Sequence, residues 1–337
     1  MKTYWLSESR YIQAMTALSM QRSGEKNLAV EIINSIKDNA LYNEEMGMYW
    51  KENTSGYFWY QAPIETQALF IEAFDEITKD EKSIEEMKIW LLKQKQTQDW
   101  KTPKATAEAC YALLLRGNNL SETKPAVNIS LGKHKLNYGL IEDAEAGTGY
   151  FKTTFNASQI TAEMGKVIVE KKSEGIAWGA VYWQYFEKID KVTPHHTGLK
   201  LNKKLYLETY TESGPQIIYI DKNTVLKPGD RIIVRIELQV DRAMEYVHLK
   251  DLRASGFEPE NVLSQYKYRD GLGYYESTRD AATNFFFSYL PKGVYVFEYP
   301  LRIVHSGNFS ADLVTIQCMY APDFTSHSEG LSVEVNE

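Results

Sequence analysis

Hydrophobic and polar side chains alternate along several stretches of the C-terminal half of the chain. Between Tyr295 and Ile303 every second side chain is large and apolar, whereas Glu298 and Arg302 fall on the opposite face. The same alternation runs from Ile232 to Val240, directly after a turn at 228–230. This period is typical of half-buried strands, and such strands need a second sheet to cover their apolar faces. We therefore predict an antiparallel β-sandwich from about residue 199 onward.

Further strands are predicted between, before and after these two long alternating stretches. Within the sandwich region they are Tyr246–Leu249, Asn284–Tyr289 and Val314–Tyr320. Upstream of it, short stretches rich in β-branched and aromatic residues predict a small β domain. The strands predicted there are Ala126–Leu131, His134–Tyr138, Gly149–Phe155, Lys166–Lys171 and Ile176–Phe186, the last of them ending in an aromatic run that suits a packed strand.

The first hundred or so residues instead show the spacing of amphipathic helices. Apolar residues recur at helical intervals in Ser7–Arg22 and Leu28–Ile36. Ser83 and Glu86 have the spacing of a capping box, which predicts a helix from Ser83 toward Lys95.

A further helix is predicted between Thr102-Pro103, an N-cap followed by a first-turn proline, and Arg116-Gly117. Its predicted apolar stripe consists of Thr106, Cys110, Leu113 and Leu114.

Two of these helices follow the same local pattern, which indicates an internal repeat. Trp50-Lys51 precedes a helix that begins near Pro63, and Trp100-Lys101 precedes a helix that begins at Pro103. A unit of this length is typical of stacked helical hairpins, which need several neighbours to bury their faces. We therefore expect part of an α/α toroid, and a chain that is a segment of a longer protein.

The predicted fold class is a multi-domain α plus β protein. It combines a partial α/α toroid of helical hairpins (1–118), a small β domain (119–195) and a C-terminal antiparallel β-sandwich (196–337). The boundaries rest on a polar linker at 118–121 and on a Pro- and Gly-containing break at 190–198.

Three motifs of the C-terminal region, in this architectural context, resemble the C-terminal part of the bacterial alpha-2-macroglobulin family. They are Leu226-Lys227-Pro228-Gly229-Asp230, Tyr289-Leu290-Pro291-Lys292-Gly293, and Gly307-Asn308-Phe309 leading to Met319-Tyr320-Ala321-Pro322-Asp323-Phe324. The resemblance covers most of the chain in architecture and about its last 140 residues in motif.

The resemblance implies a non-catalytic C-terminal fragment of a protease-trapping endopeptidase inhibitor. Its partners would be proteases, the other domains of the parent protein and cell-wall synthesis enzymes, in a periplasmic or envelope-anchored parent. Many members of the family carry a thioester in a Cys-x-x-Gln motif. Neither Cys110 nor Cys318 is followed by Gln at the required spacing, so no thioester residue is identified.

The composition of the chain argues against nucleic-acid binding. The net charge of −7 provides no basic surface for nucleic acid, and the chain contains only two cysteines, both among apolar neighbours, where buried free thiols are expected. The start of the chain lacks a signal-peptide core, and we find no apolar stretch long enough to span a bilayer.

Candidate catalytic and metal-binding residues are sparse. His195-His196 is the only histidine pair and is expected in an exposed loop, since a metal site needs three or four convergent ligands. The adjacent carboxylates Glu44-Glu45 and Glu85-Glu86 could act as an acid and base only if they converge in space. We predict no enzyme activity, no cofactor and no metal.

An aromatic cluster is the one feature of the sequence that suggests a ligand. Trp50, Tyr57, Trp59 and Tyr60 could line a sugar cleft, as in carbohydrate-active proteins that combine helical toroids with β-sandwiches. Because each ring buries a large apolar area, we favour burial of these rings in the core. A third reading is a surface-interaction module without either activity.

Overall fold

A computed structural model of the chain describes residues 4–116, 127–137, 150–171, 179–188, 191–311 and 313–337. Two compact units are present, one formed by Met1–Lys95 with Trp100–Gly179 and the other by Gln96–Asp99 with Ala180–Glu337. The predicted mixture of α-helices, antiparallel sheets and a C-terminal β-sandwich is confirmed. The division into three domains stays a prediction.

The described part of the first unit contains helical hairpins around one apolar core. The helices are α1 (Arg10–Arg22), α2 (Lys26–Asp38), α3 (Pro63–Ile77), α4 (Glu81–Thr97) and α5 (Pro103–Leu115). A two-stranded hairpin of β1 (Leu41–Asn43) and β2 (Gly47–Tyr49) joins α2 to α3. Ile32, Trp50, Phe70 and Phe74 lie fully inside the core.

The two prolines of the predicted repeat begin corresponding helices. Pro63 and Pro103 occupy the first turns of α3 and α5, where a missing N–H costs no intrahelical bond. Thr102 caps α5, and its Oγ1 accepts a hydrogen bond of 3.0 Å from the Ala105 N–H. These two predicted helix starts are confirmed.

The predicted capping box at Ser83 is wrong. Helix α4 begins two residues earlier, and Asp80 fills the capping position. The Asp80 carbonyl accepts the Ile84 N–H at 3.0 Å, while its Oδ1 accepts the Ser83 N–H at 3.2 Å. Aspartate competes well with serine as a cap, and here Ser83 Oγ donates to Asp80 Oδ2 instead of receiving the Glu86 N–H.

The predicted apolar stripe of α5 is rotated by about one residue from the observed one. The buried positions are Ala105, Ala109, Ala112 and Leu113, whereas Thr106, Cys110 and Leu114 are exposed. Small alanines allow α5 to pack closely on α3, whereas the predicted stripe follows the larger side chains of the helix. The expectation that Cys110 is buried is therefore wrong, whereas Cys318 is buried as predicted.

A small antiparallel sheet follows the helices along the chain. Its strands are β3 (Val127–Leu131), β4 (His134–Asn137) and β5 (Val167–Lys171), in the order β4-β3-β5. Ala126, Tyr138 and Gly149 lie outside the described residues. Residues 150–155 form no strand, contrary to the prediction.

The aromatic run before the sandwich is also not a strand. Residues 179–188 have no regular structure, and the side chains of Tyr182, Trp183, Tyr185 and Phe186 are exposed. A strand needs a neighbour for its backbone groups, and none pairs with this run among the described residues. The start of the predicted strand, 176–178, is not described.

The second unit is the predicted β-sandwich. One sheet has five strands in the order β10-β14-β8-β6-β7 and the other six strands in the order β11-β12-β13-β9-β16-β17. All the pairs within these sheets are antiparallel, as are β15 and β18, which form a separate two-stranded ribbon. The strands are β6 (Leu199–Thr211), β7 (Gly214–Tyr219), β8 (Arg231–Val240), β9 (Met244–Leu252), β10 (Phe257–Pro259), β11 (Gln265–Arg269), β12 (Leu272–Thr278), β13 (Ala282–Leu290), β14 (Gly293–Ile303), β15 (Gly307–Ala311), β16 (Val314–Cys318), β17 (Ala321–His327) and β18 (Leu331–Val335).

The alternation read from the sequence fixes which faces are buried. In β8 the apolar positions from Ile232 to Val240 are all buried, and in β14 the same holds from Phe297 to Ile303. The turn between β7 and β8 places Gly229 at a φ of 95°, where a side chain would be strained, and Asp230 Oδ2 accepts the Lys227 N–H at 2.9 Å. The buried faces of the two sheets form one apolar core.

Candidate interaction surfaces

The first candidate surface is an exposed aromatic loop in the first unit, defined by Tyr57, Phe58, Trp59 and Tyr60. The side chains of Tyr57, Phe58 and Trp59 are 96%, 54% and 69% exposed. Phe58 and Tyr60 stack with parallel rings 5.4 Å apart, and Trp59 meets Tyr60 edge to face at 5.8 Å. The loop thus presents several rings to solvent as one ordered group.

Helix residues hold one end of this aromatic loop. Tyr11 of α1 meets Trp59 edge to face, with ring centroids 5.7 Å apart. The ammonium group of Lys104, on α5, lies 5.5 Å from the Tyr11 ring centroid and donates to the Tyr11 hydroxyl at 3.4 Å. A cation over an aromatic face is attracted by the ring quadrupole, so this contact supports the position of Tyr11 beneath the loop.

The structure separates Trp50 from the other three aromatic site residues. Trp50 is 2% exposed, donates its indole N–H to the Ile36 carbonyl at 2.8 Å, and packs on Phe70 at a centroid distance of 4.3 Å. It is therefore part of the helical core. The expectation that all these rings lie in the core is correct for Trp50 and wrong for Tyr57 and Trp59, because the connection that carries them runs across the surface.

The second candidate surface lies at the turn between β16 and β17, for which only an architectural role is expected from the sequence. Met319 and Tyr320 are both exposed, and the Met319 N–H donates to the Tyr246 carbonyl at 2.9 Å. The Tyr246 and Tyr320 rings meet edge to face at 5.1 Å. Tyr246 has a φ of 54°, an uncommon conformation for a bulky residue, and its side chain is exposed. We call these three residues the turn patch.

The turn patch continues as an aromatic row on the outer face of the six-stranded sheet. His248 and Phe286, on neighbouring strands, stack with parallel rings 4.5 Å apart. Tyr275 lies opposite Phe286, and Tyr266 lies opposite Tyr275. Exposed clusters of this kind are typical of interaction surfaces, and outward-facing aromatic positions at strand spacing were a signal available in the sequence.

A comparison with protein families decides the nature of the second unit. Residues 198–323 match the family model described as the bacterial alpha-2-macroglobulin MG10 domain. The resemblance to the C-terminal part of this family is confirmed. We refer to these residues as the MG10 segment; it contains most of the sandwich and the whole turn patch. No curated protein matches the chain.

Solved alpha-2-macroglobulin structures are similar to the chain at low identity. A Salmonella alpha-2-macroglobulin reacted with methylamine is 14% identical over 98% of this chain and 20% of its own, with a TM-score of 0.34. Trypsin-activated Escherichia coli alpha-2-macroglobulin is 12% identical over 98% of this chain and 21% of its own, with a TM-score of 0.43. The native Escherichia coli protein from domain MG7 to the C-terminus is 13% identical over 98% of this chain and 49% of its own, with a TM-score of 0.35. The chain thus spans between about a fifth and a half of these proteins, and the resemblance to the family rests on the MG10 match of residues 198–323.

The MG10 segment also contains a buried polar cluster between its two sheets. Lys203 of β6 and Asp251 of β9 form an ion pair, and the Tyr299 hydroxyl of β14 donates to the same carboxylate. Burial raises the pKa of Asp251 and raises the pKa of Tyr299 well above its ordinary value. Arg253 is buried nearby and donates to the Arg279 carbonyl at 2.5 Å.

The histidines and the carboxylate pairs do not form a metal-binding group among the residues that the structure describes. His195 and His196 are exposed as predicted, and His195 exchanges two backbone hydrogen bonds of 3.0 Å with His327. Burial lowers the pKa of His196, with Lys200 and the other two histidines acting in the same direction. No group of three or more metal-ligating side chains occurs in the described ranges, and no described helix has the length and apolarity needed to cross a membrane.

Proposed function

We propose that the chain is a non-catalytic C-terminal part of a protease-trapping, alpha-2-macroglobulin-like endopeptidase inhibitor. The observation that supports this most is the match of residues 198–323 to the bacterial MG10 model, on a sandwich whose strands were expected from the same residues. The related structures include proteins described as activated by trypsin and by porcine elastase. The parent protein would meet proteases in the periplasm or at the envelope.

In such a protein the MG10 segment acts by changing its position relative to other domains and not by catalysing a reaction. Its two sheets share one continuous core, so it moves as a body, and its turn patch offers exposed apolar rings to another domain of the parent. Burial of such a patch stabilises one arrangement of domains, and its release permits another. An association with cell-wall synthesis enzymes stays a prediction, and no contact described above favours it.

The trap function is tested on the full-length parent by comparing two substrates of a protease. A protease enclosed by a trap keeps an open active site but loses access to large substrates, so we expect loss of casein cleavage with retention of small-peptide cleavage. The 337-residue chain alone is the control and is expected to leave both activities unchanged. Equal loss of both activities, or loss of neither, would overturn the proposal.

The size of the native protein is tested separately. An antibody to residues 199–337 is expected to detect, in the envelope fraction of native cells, a band several times larger than this chain. A soluble band at the size of the chain would argue against a longer parent.

A second candidate function is carbohydrate binding by the exposed aromatic loop. It is favoured by one observation, the exposure of Tyr57, Phe58 and Trp59 as an ordered group, since exposed rings stack on sugar faces. Binding of soluble polysaccharides is measured by affinity electrophoresis. Loss of retardation on Trp59→Ala, with no loss on the exposed control Tyr210→Ala, would support this function.

A further inference from the structure

Lys203 and Asp251 bring an amine and a carboxyl group together inside the sandwich. Lys203 lies on β6 of the five-stranded sheet, and Asp251 lies on β9 of the six-stranded sheet. Lys203 Nζ is 2.5 Å from Asp251 Oδ1, and the two side chains are only 3% and 1% exposed. The pair is therefore a polar bridge between the two sheets, deep in the core of the described sandwich.

Both groups are held by further hydrogen bonds. Lys203 Nζ also donates to the Leu252 carbonyl at 3.2 Å, on the residue directly after Asp251. The other carboxylate oxygen, Asp251 Oδ2, accepts from the Tyr299 hydroxyl. One carboxylate oxygen thus faces the amine, and the other faces a neutral donor.

We propose that Lys203 and Asp251 condense into an amide cross-link that joins the two sheets of the sandwich. A proton passes from the Lys203 ammonium to Asp251 Oδ1, which leaves a neutral amine and a neutral carboxylic acid. The amine then attacks Asp251 Cγ, and the bond from Cγ to Oδ1 breaks. Oδ1 departs as water with the transferred proton and a second proton from nitrogen, and Oδ2 becomes the amide oxygen. No oxidant, reductant or cofactor is consumed.

The surroundings favour this reaction over a permanent ion pair. Removal from water disfavours both charged groups, and burial raises the pKa of Asp251 against the opposing effects of Lys203, Tyr299 and Arg253. The Tyr299 hydroxyl donates to the oxygen on which negative charge develops during attack. Fixed, adjacent reactants reach effective concentrations of about 10⁵–10⁸ M, and the dry core removes the water that would hydrolyse the product.

The cross-link is tested by intact-mass spectrometry of the full chain. We expect the folded protein to be lighter than its sequence mass by one water molecule, and a protease digest to contain a branched peptide joining Lys203 to Asp251. A folded wild-type chain at its full sequence mass after prolonged incubation would overturn the proposal. The result does not depend on protease trapping, so it can fail or succeed independently of the proposed function.

Three variants test whether the cross-link joins Lys203 to Asp251 and whether Tyr299 assists its formation. Lys203→Arg keeps the positive charge without a reactive amine and is expected to fold at its full mass. Asp251→Asn is expected to lose ammonia instead of water and so to reach the same final mass as the wild type. Tyr299→Phe removes the donor to Oδ2 and is expected to slow cross-linking by about 10²–10³-fold in a time course of freshly translated chain. Loss of water from Lys203→Arg would place any cross-link elsewhere and overturn the assignment.

Discussion

Phe285 of the six-stranded sheet and Phe297 of the five-stranded sheet lie with their ring centroids 5.2 Å apart. Both rings are almost completely buried, and Tyr274 and Phe287 pack against Phe297 in the same cluster. The contact joins the two sheets at the centre of the sandwich core. Much of the sandwich stability therefore depends on these aromatic side chains.

Truncation of Phe297 tests this dependence. Phe297→Ala removes a buried ring and leaves a cavity, so we expect the free energy of unfolding to fall by about 3–5 kcal/mol. Chemical denaturation followed by near-ultraviolet circular dichroism measures the change. Val296→Ala, on the exposed face of the same strand, is the matched control and is expected to change stability by about 0.5 kcal/mol or less. Similar losses for both variants would contradict the assignment of the core face.

Trp50 and Trp59, both in the first unit, are expected to differ sharply in their contribution to the free energy of unfolding. Trp50→Ala removes a buried ring and its hydrogen bond to Ile36, so we expect a loss of about 3–5 kcal/mol in unfolding free energy. Trp59→Ala removes an exposed ring and is expected to cost about 1 kcal/mol or less. Thermal denaturation of the two variants makes the comparison. A large loss for Trp59→Ala would show that the aromatic loop supports the helices rather than a ligand.

Asp80 is expected to make the first unit sensitive to acid. It caps α4 and accepts a 2.5 Å bond from Lys37 at the end of α2. Burial alone would raise the pKa of Asp80, but the bonds from Lys37 and Ser83 outweigh burial, and the pKa is lowered. A carboxyl group whose pKa is depressed by folding contributes stability above its unfolded pKa, and this contribution is lost as the pH falls through the folded pKa.

Substitution of Asp80 tests both roles. We expect Asp80→Ala to lower the unfolding free energy at neutral pH by about 0.5–2 kcal/mol, as for other caps, and to weaken the acid dependence. Glu86→Ala is the control, because Glu86 does not complete a capping box, and is expected to change stability by about 0.5 kcal/mol or less. Denaturation midpoints are measured from about pH 7 down to below the ordinary pKa of an aspartate, about 3.9. An equal effect of both substitutions would favour a cap at Ser83 after all.

The two thiols are expected to react at very different rates. Cys110 is exposed on α5, whereas Cys318 is buried in the sandwich. A thiol reagent is therefore expected to modify one cysteine in the native chain and both after denaturation. Cys110→Ser should abolish the fast reaction. Fast modification of Cys318 in that variant would show that the end of β16 opens in the native state.

Local sequence rules located several strands and helix starts correctly, although the capping pattern at Ser83 misplaced the start of α4. The alternation in β8 and β14 identified their buried faces, and Thr102-Pro103 located the start of α5. These signals are local because the side-chain period and the cap depend on only a few neighbouring residues. The rotated stripe of α5 was missed because buried alanines are weak hydrophobic markers.

The sequence was less informative about the candidate surfaces. Whether the aromatic loop and the run at 179–188 lie inside or outside depends on which elements cover them, and no local pattern encodes this. The pairing of Lys203 with Asp251 was equally hidden, since a lysine in an alternating strand normally indicates the solvent face. Its position between Leu201 and Leu205, on the buried side of β6, was the available signal.

The position of β9 in its sheet has a consequence for the order of folding. Its neighbours β13 and β16 are both later in the chain, and β16 is among the last strands to be made. Contacts of such large sequence separation form slowly, whereas the helical hairpins of the first unit depend mostly on nearby residues. During synthesis the helices can therefore assemble early, while both edges of β9 remain unpaired until β13 and β16 have been made. In that interval the nascent sandwich is most exposed to aggregation and most in need of a chaperone.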